Sequence, residues 1–271
     1  MAGGSLGPTE LILPTHTSDP TGSTGSMYFN TDTGVARIKT ADGWQNLNEA
    51  PPLHTTNGLV ALYDWEDPNS WPGSGTTWYN VAPNSTAPNA TMWGNIVYNN
   101  PTAGISSFYA SNGGFDLATS NGWWNSATFT IIAWTYLHSY NSYNTGIISQ
   151  YSPSPGRHNW MWTNTGTWHM NGCKGAAYPG SNGGTGTWRM QTLRYDNGYV
   201  FSYDDNVGKT TALTGGGDMC TSSTSIVFLA RGDDHVEPAN ASIRKVQFYN
   251  RYLSDSEITE NWNLYKSYVG R

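Results

Sequence analysis

The stretch from Thr187 to Asn206, TWRMQTLRYDNGYVFSYDDN, constrains the fold more than any other part of the chain. Two runs with β character flank Asp196-Asn197-Gly198. Asn-Gly supplies the positive φ angles that a two-residue hairpin turn needs to match the right-handed twist of its strands. After the turn, Tyr199, Phe201 and Tyr203 alternate with Val200 and Ser202, the period of a strand with unequal faces. Before it, Trp188, Met190 and Thr192 alternate with Arg189, Gln191 and Leu193. Other β-like runs surround this hairpin, so the expectation is a sheet protein.

The rest of the chain agrees. Charged residues make up only 12% of the 271, while aromatics reach 14%, with 13 Trp and 17 Tyr. Aromatic bulk with abundant turn residues suits all-β architecture with long loops and argues against disorder, which is poor in aromatics. A net charge of −6 offers no basic surface, so no nucleic-acid partner is expected. The N-terminus lacks a basic region followed by an apolar run, and no apolar stretch is long enough to span a bilayer, so neither a signal peptide nor a membrane partner is expected. Cys173 and Cys220 are compatible with a disulfide or with two thiols, and their spacing suits no metal knuckle.

In chain order, residues 1–26 read as an extended N-terminal arm rich in Gly, Ser, Thr and Pro. Residues 27–48 read as a small β-meander: Met27 to Asn30, a turn at Thr31 to Gly34, a return strand at Ala36 to Lys39, and a turn before Trp44. So short a meander has too little core to stand alone. Residues 49–57, with two prolines, read as a linker, and residues 58–271 as the main domain. There Gly58 to Trp65 is a strand apolar on both faces. Short runs follow at Ala90 to Gly94 and Phe115 to Ala118. In the long run from Ala127 to Tyr136, Phe129, Ile131 and Ala133 share one face, and Ile132, Trp134 and Tyr136 the other. A strand apolar on both faces belongs in the middle of a packed sandwich. Gly146 to Gln150 and Asn159 to Trp162 continue the series, and Gly172 to Gly186 reads as a long glycine-rich loop. Near the end Val246 and Phe248 should face inward, Lys245 and Gln247 outward. Ser254 and Glu257 form a capping box before Ile258, Trp262 and Tyr265 at helical spacing, a helix expected to cap an open edge or end.

Two resemblances follow from these residues. GSMYFNTDTGVARIKTADGWQNL, residues 25–47, resembles a short module of phage tail-fibre and other virion proteins. GLVALYDWEDPNSWPGSGTTWYN, ATFTIIAWTYLHS, GIISQ, RYDNGYVFSYDDN and IRKVQFYNRYLSDSEITENWN, taken in order, resemble the laminin-G-like, concanavalin A-like jelly roll in the branch common among phage structural proteins. The chain departs from that pattern at Trp188-Arg-Met-Gln191, where many relatives carry W-H-H-V, and at Asp204-Asp205-Asn206, where V-N-G is usual. The resemblance implies an all-β, antiparallel two-sheet jelly-roll sandwich with a short C-terminal helix, preceded by the arm and the meander. Many such domains bind glycans, some with Ca²⁺.

The sequence bears on three kinds of site. Glycanases of this fold need acidic residues alternating on one strand, so that two carboxylates share a groove. Glu66-Asp67, Asp204-Asp205 and Asp233-Asp234 are adjacent instead, and no phosphate loop, histidine-rich metal motif or serine elbow occurs. No catalytic residue and no enzyme activity are therefore expected. Asp233, Asp234 and Glu237 could ligate Ca²⁺ through hard oxygens, although a solvated acidic loop tip is the plainer reading; no other cofactor is expected. For glycans, aromatic faces beside planar polar groups are the signal: Trp123 and Trp124 beside a turn, and Trp160, Trp162 and Trp168 near His158. Most Trp residues in so Trp-rich a chain belong to the core or to an interface.

The expected function is that of a non-enzymatic phage virion structural protein, a capsid decoration, fibre or tail component at the virion surface, whose head adheres to host or environmental glycans. Other virion proteins would be met through residues 1–48, and a homotrimer is the expected assembly. A secreted carbohydrate-binding lectin is the alternative, and a glycoside hydrolase the third reading.

Overall fold

A computed structural model describes residues 13–32, 34–40, 43–46, 55–102, 104–117, 128–139, 145–151, 157–164, 167–171, 176–177, 185–196, 199–205, 207–212, 226–230 and 238–270; for the strands between 150 and 177 it is the backbone that is described. The chain divides into two compact units, Met1–Leu53 and His54–Arg271.

The first unit is a four-stranded sheet. Its strands are β1 (Thr15–His16), β2 (Met27–Asn30), β3 (Val35–Thr40) and β4 (Gly43–Asn46), in that spatial order. The last three form the expected meander, and β1 adds a parallel pairing of Thr15 with Phe29 and His16 with Asn30. A small core explains why residues 13–20 lie along it. Tyr28 is buried, meets Trp44 edge-on at 4.8 Å and donates its hydroxyl to Asp19 Oδ1 at 2.6 Å. Arg37 pairs with the same carboxylate and donates to the Trp44 carbonyl, while the Trp44 indole donates to the Pro20 carbonyl at 3.0 Å.

The second unit runs β5 (Leu59–Asp64), β6 (Thr77–Trp78), β7 (Ala90–Thr102), β8 (Ile105–Leu117), β9 (Thr128–Ser139), β10 (Thr145–Tyr151), β11 (Arg157–Asn164), β12 (Thr167–Asn171) and β13 (Ala176–Ala177). It continues with β14 (Trp188–Asp196), β15 (Tyr199–Asp204), β16 (Val207–Ala212), β17 (Ile226–Phe228) and β18 (Asn240–Tyr249), then α1 (Asp255–Tyr265) and a 3₁₀ turn over Lys266–Val269. One layer has the order β16-β15-β14-β9-β18-β5; the other has β13-β12-β11-β10-β17-β8-β7-β6. All the pairings are antiparallel. The layers join where β8 changes partner: Phe108 and Ala110 sit opposite Ile243 and Ala241 of β18, whereas Phe115 and Leu117 sit opposite Phe228 and Ile226 of β17. Trp78, Phe108, Phe115 and Phe228 of one layer meet Tyr63, Ile131, Val246 and Phe248 of the other in a single core. This is an all-β, two-layer antiparallel sandwich.

The two faces of β9 separate as its sequence implies. Phe129, Ile131 and Ala133 enter the sandwich core, and Ile132 and Trp134 join a second cluster on the outer face. The hairpin from β14 to β15 pairs Asp196 with Tyr199 at its closing end, as expected of these strands. Its inward side carries Val200 and Ser202, while Tyr199 is exposed and Phe201 and Tyr203 are half-buried on the other side.

Three sequence expectations are corrected. The sequence suggests separate short runs at Ala90 to Gly94 and Phe115 to Ala118, but β7 and β8 are two 13-residue strands of one hairpin. Glycines allow it: a Cβ at Gly114 would lie 2.2 Å from the Phe228 carbonyl oxygen, and Gly94 adopts φ +64 beside the Asn112 carbonyl. The short strand β13 falls within the stretch read as a loop from Gly172 to Gly186. Finally, α1 covers a sheet face rather than an edge. Its capping box forms as expected, Ile258 is buried, and Trp262 stacks parallel on Trp134 at 5.7 Å. The reason lies in β18, whose outward Lys245 and Gln247 are 4% and 0% exposed. Gln247 donates to Asn261 at 3.1 Å, Lys245 reaches Asp64 at 2.6 Å, and the Tyr265 ring lies 3.4 Å from the Lys245 ammonium. Buried polar groups need partners, and the helix supplies two of them, Asn261 and the Tyr265 ring.

Candidate functional site

Beyond the part covered by Trp262, the outer face carries a row drawn from four strands. Ser242 of β18 sits opposite Tyr109 of β8 on one side and Tyr136 of β9 on the other, and Tyr136 sits opposite Trp188 of β14. Opposed residues in an antiparallel ladder share a face, so these side chains form one line across the sheet. A register shift between Asn240 and Ala241, which pair with Ser139 and Leu137, leaves His138 as the extra residue on β9. Such a bulge re-aims a side chain. His138 packs between the two tyrosines, 4.8 Å from the Tyr109 ring and 4.8 Å from the Tyr136 ring. Its Nε2 lies 3.0 Å from Ser242 Oγ, and Asn240 Nδ2 donates to Ser139 Oγ at 2.7 Å. Tyr109, Tyr136, His138 and Asn240 are half-buried and Ser139 is exposed, whereas Ser242 and Trp188 are buried and anchor the row.

Burial lowers the His138 pKa, which favours a neutral imidazole at neutral pH. The row therefore combines aromatic surface with hydroxyl, imidazole and amide groups, all without formal charge. Chemically it can hold an amphipathic ligand with an apolar ring face and a hydroxylated rim.

The acids serve elsewhere. Asp64 pairs with Lys245, Glu66 with Arg244, Asp204 with Arg189, Asp255 with Arg194 and Glu257 with Arg251. Asp205 Oδ1 accepts the Met190 N–H at 3.1 Å. Hydrogen bonds from Tyr203 and Arg194 hold the Asp255 carboxyl below its usual range, and the Arg251 guanidinium draws Glu257 down to about 2. Carboxylates held ionised in this way are poor general acids. Burial pulls the Lys245 ammonium below the ordinary lysine range, opposed by Asp64. Among the described residues, no three His, Cys, Asp or Glu side chains gather as a metal site would need.

Of the residues singled out in the sequence, those on described strands lie on β11 and β12. Trp123, Trp124, Asp233, Asp234 and Glu237 fall outside the described residues, as do Cys173 and Cys220. Ala239 N–H donates to the Leu229 carbonyl at 2.7 Å. His158, Trp160 and Trp162 are on β11 and Trp168 is on β12. In backbone register His158 opposes Gln150, Trp162 opposes Gly146 and His169, and Trp168 opposes Thr163. In strand order β10, β17, β8 and β18 separate these positions from β9. Tyr109, His138 and Asn240 were not found from sequence, because nothing local signals that β8, β9 and β18 are neighbours.

No family model and no curated protein matches the chain. Among solved structures it is similar to Trypanosoma rangeli sialidase, with a TM-score of 0.57 and 16% identity over 90% of this chain and 44% of that one. It is also similar to domain 4 of an extracellular arabinanase from Geobacillus stearothermophilus, in complex with arabinotriose. There the TM-score is 0.51 and the identity 18%, over 74% of this chain and 97% of that one. A mutant of a protein named HCR/D gives a TM-score of 0.55 at 14% identity, over 77% of this chain and 51% of that one. At such identities the likeness establishes the sandwich fold. The chain spans less than half the length of the sialidases it matches.

Proposed function

We propose that the sandwich is a non-hydrolytic glycan-binding head and that the protein is a virion surface component, attached through residues 1–48 and assembled as a homotrimer. The observation that carries the glycan reading is the cluster of Tyr109, Tyr136 and His138, half-buried beside Ser139 and Asn240. Rings flanked by small neutral polar groups suit a sugar, which presents C–H surface on one side and hydroxyls at its rim. The arabinanase domain, seen with arabinotriose, supports this reading by fold. Ion pairing of Asp64, Glu66, Asp204, Asp255 and Glu257 supports a head that binds without cutting. The virion setting is supported by the wording of residues 25–47, and weak binding by each head would gain from several copies.

The test is a glycan array probed with the full chain, alongside a turnover assay on the saccharides it retains. Retention without cleavage is expected, with Tyr109→Ala weakening it about tenfold, roughly 1.4 kcal/mol. Release of reducing ends would refute the non-hydrolytic part, and an array silent to the wild type would refute adhesion. Light scattering of the full chain should give three times the monomer mass; a monomer at high concentration would refute the trimer.

A further inference from the structure

The row and the cations of the sandwich together define the chemistry of the ligand. Tyr109, Tyr136, Ser139 and Asn240 carry no charge, and burial disfavours the charged form of His138. Five of the six basic side chains described in this unit are held in ion pairs. Arg189 is on Asp204, Arg194 on Asp255, Arg244 on Glu66, Lys245 on Asp64 and Arg251 on Glu257, while Lys266 donates to Asn263. An acidic sugar brings a carboxylate or sulfate, which is ordinarily met by a guanidinium fork or an ammonium. Placed on this row it would lose water with no cation among the row's described side chains to meet it, against a chain of net charge −6.

We infer that this row takes an uncharged saccharide, its C–H face against the Tyr109 and Tyr136 rings and its hydroxyls on Ser139 and Asn240. The inference rests on the glycan-adhesion reading and adds its selectivity. It sets the row apart from sialic acid, the ligand of one of the similar sialidase structures.

The experiment uses the full chain and matched probes: arabinotriose, lactose and cellotriose as neutral sugars, with 3′-sialyllactose and trigalacturonic acid as acidic ones. Wild type, Tyr109→Ala, Tyr109→Phe and His138→Ala are titrated by calorimetry at two salt concentrations. A neutral probe should bind at least about tenfold more tightly than any acidic probe. Its affinity should be unchanged between about 0.05 and 0.5 M NaCl, because no ion pair is there to be screened. Tyr109→Ala and His138→Ala should each weaken it at least about fivefold, worth about 1 kcal/mol. Tyr109→Phe, which keeps the ring, should hold it within about twofold. Tighter binding of an acidic probe, or affinity that falls with salt, would overturn the inference while leaving adhesion intact. Neutral binding untouched by Tyr109→Ala and His138→Ala would overturn the location. Binding of none of the probes, with an array that is silent as well, would remove the adhesion reading itself.

Discussion

Replacing Arg194 with methionine should unlatch the start of α1. The guanidinium is almost fully buried on the outer face of β14. It donates to the Leu253 carbonyl at 2.6 Å, to Asp255 Oδ1 at 2.8 Å and to the Tyr203 hydroxyl. It also lies over Tyr252 at 4.1 Å, Tyr203 at 4.6 Å and Phe201 at 5.4 Å. Methionine keeps much of the packing and loses every donor. A buried carbonyl stripped of a charged donor costs about 1–3 kcal/mol. Loss of the aromatic–cation contacts adds about 0.5–2 kcal/mol. The Asp255 carboxylate is 78% exposed, so its share is at most about 1 kcal/mol. Arg194→Met should therefore cost about 3 kcal/mol, whereas Asp255→Asn should cost about 1 kcal/mol or less. Urea unfolding followed by Trp fluorescence reads this out, because Trp44 is the only Trp outside residues 54–271. With a slope of about 2–3 kcal/mol per molar, the Arg194→Met midpoint should fall by about 1 M. Equal losses in the two variants, or a loss in Arg194→Met below about 1 kcal/mol, would refute the assignment of the latch to a buried cation.

Two further predictions concern the same unit. Gly114→Ala puts a Cβ 2.2 Å from the Phe228 carbonyl oxygen, at the junction of the two layers. It should cost about 3 kcal/mol or more, or abolish soluble expression, and a melting temperature within about 3 °C of wild type would contradict it. Glu257 closes the capping box and meets Arg251, and its carboxyl is lowered from 4.5 to about 2. A depressed folded pKa means that this stability is present above the unfolded value and is lost as pH falls from about 5 towards 2. Solvent screening keeps the effect to about 1 kcal/mol or less. Glu257→Gln should flatten that part of the acid limb, and an unchanged limb between pH 5 and 2 would show that the pair contributes nothing.

How much of this was legible in the sequence depends on the range over which each signal acts. The capping box at Ser254 and Glu257 and the hairpin closing at Asp196 and Tyr199 are local, and both are found as read. The two faces of β9 follow from period-two alternation over one strand and are found as well. The hairpin of β7 and β8 was missed because its strands carry Asn95, Asn99, Asn100, Pro101, Ser106, Ser107, Gly113 and Gly114, which locally read as turn residues. Tertiary pairing overrides that preference. The placement of α1 was missed because Lys245 and Gln247 look solvent-facing until their partners are known. The row through Tyr109, Ser242, Tyr136 and Trp188 depends on three separate registers, and no single window of sequence contains more than one of its strands.

The position of β18 in the chain bears on how the molecule is made. It follows all of its partners, yet it pairs with β9 along one edge and with β5 and β8 along the other. While ribosomes are still adding residues 240–249, β5 and β9 wait with unsatisfied edges and apolar faces, a state that invites pairing with a neighbouring nascent chain. Premature termination before Asn240 would leave β5 detached from β9 and remove the pairing that joins this layer to β8. Assembly of this half of the sandwich is therefore a nonlocal event that waits on residues 240–249.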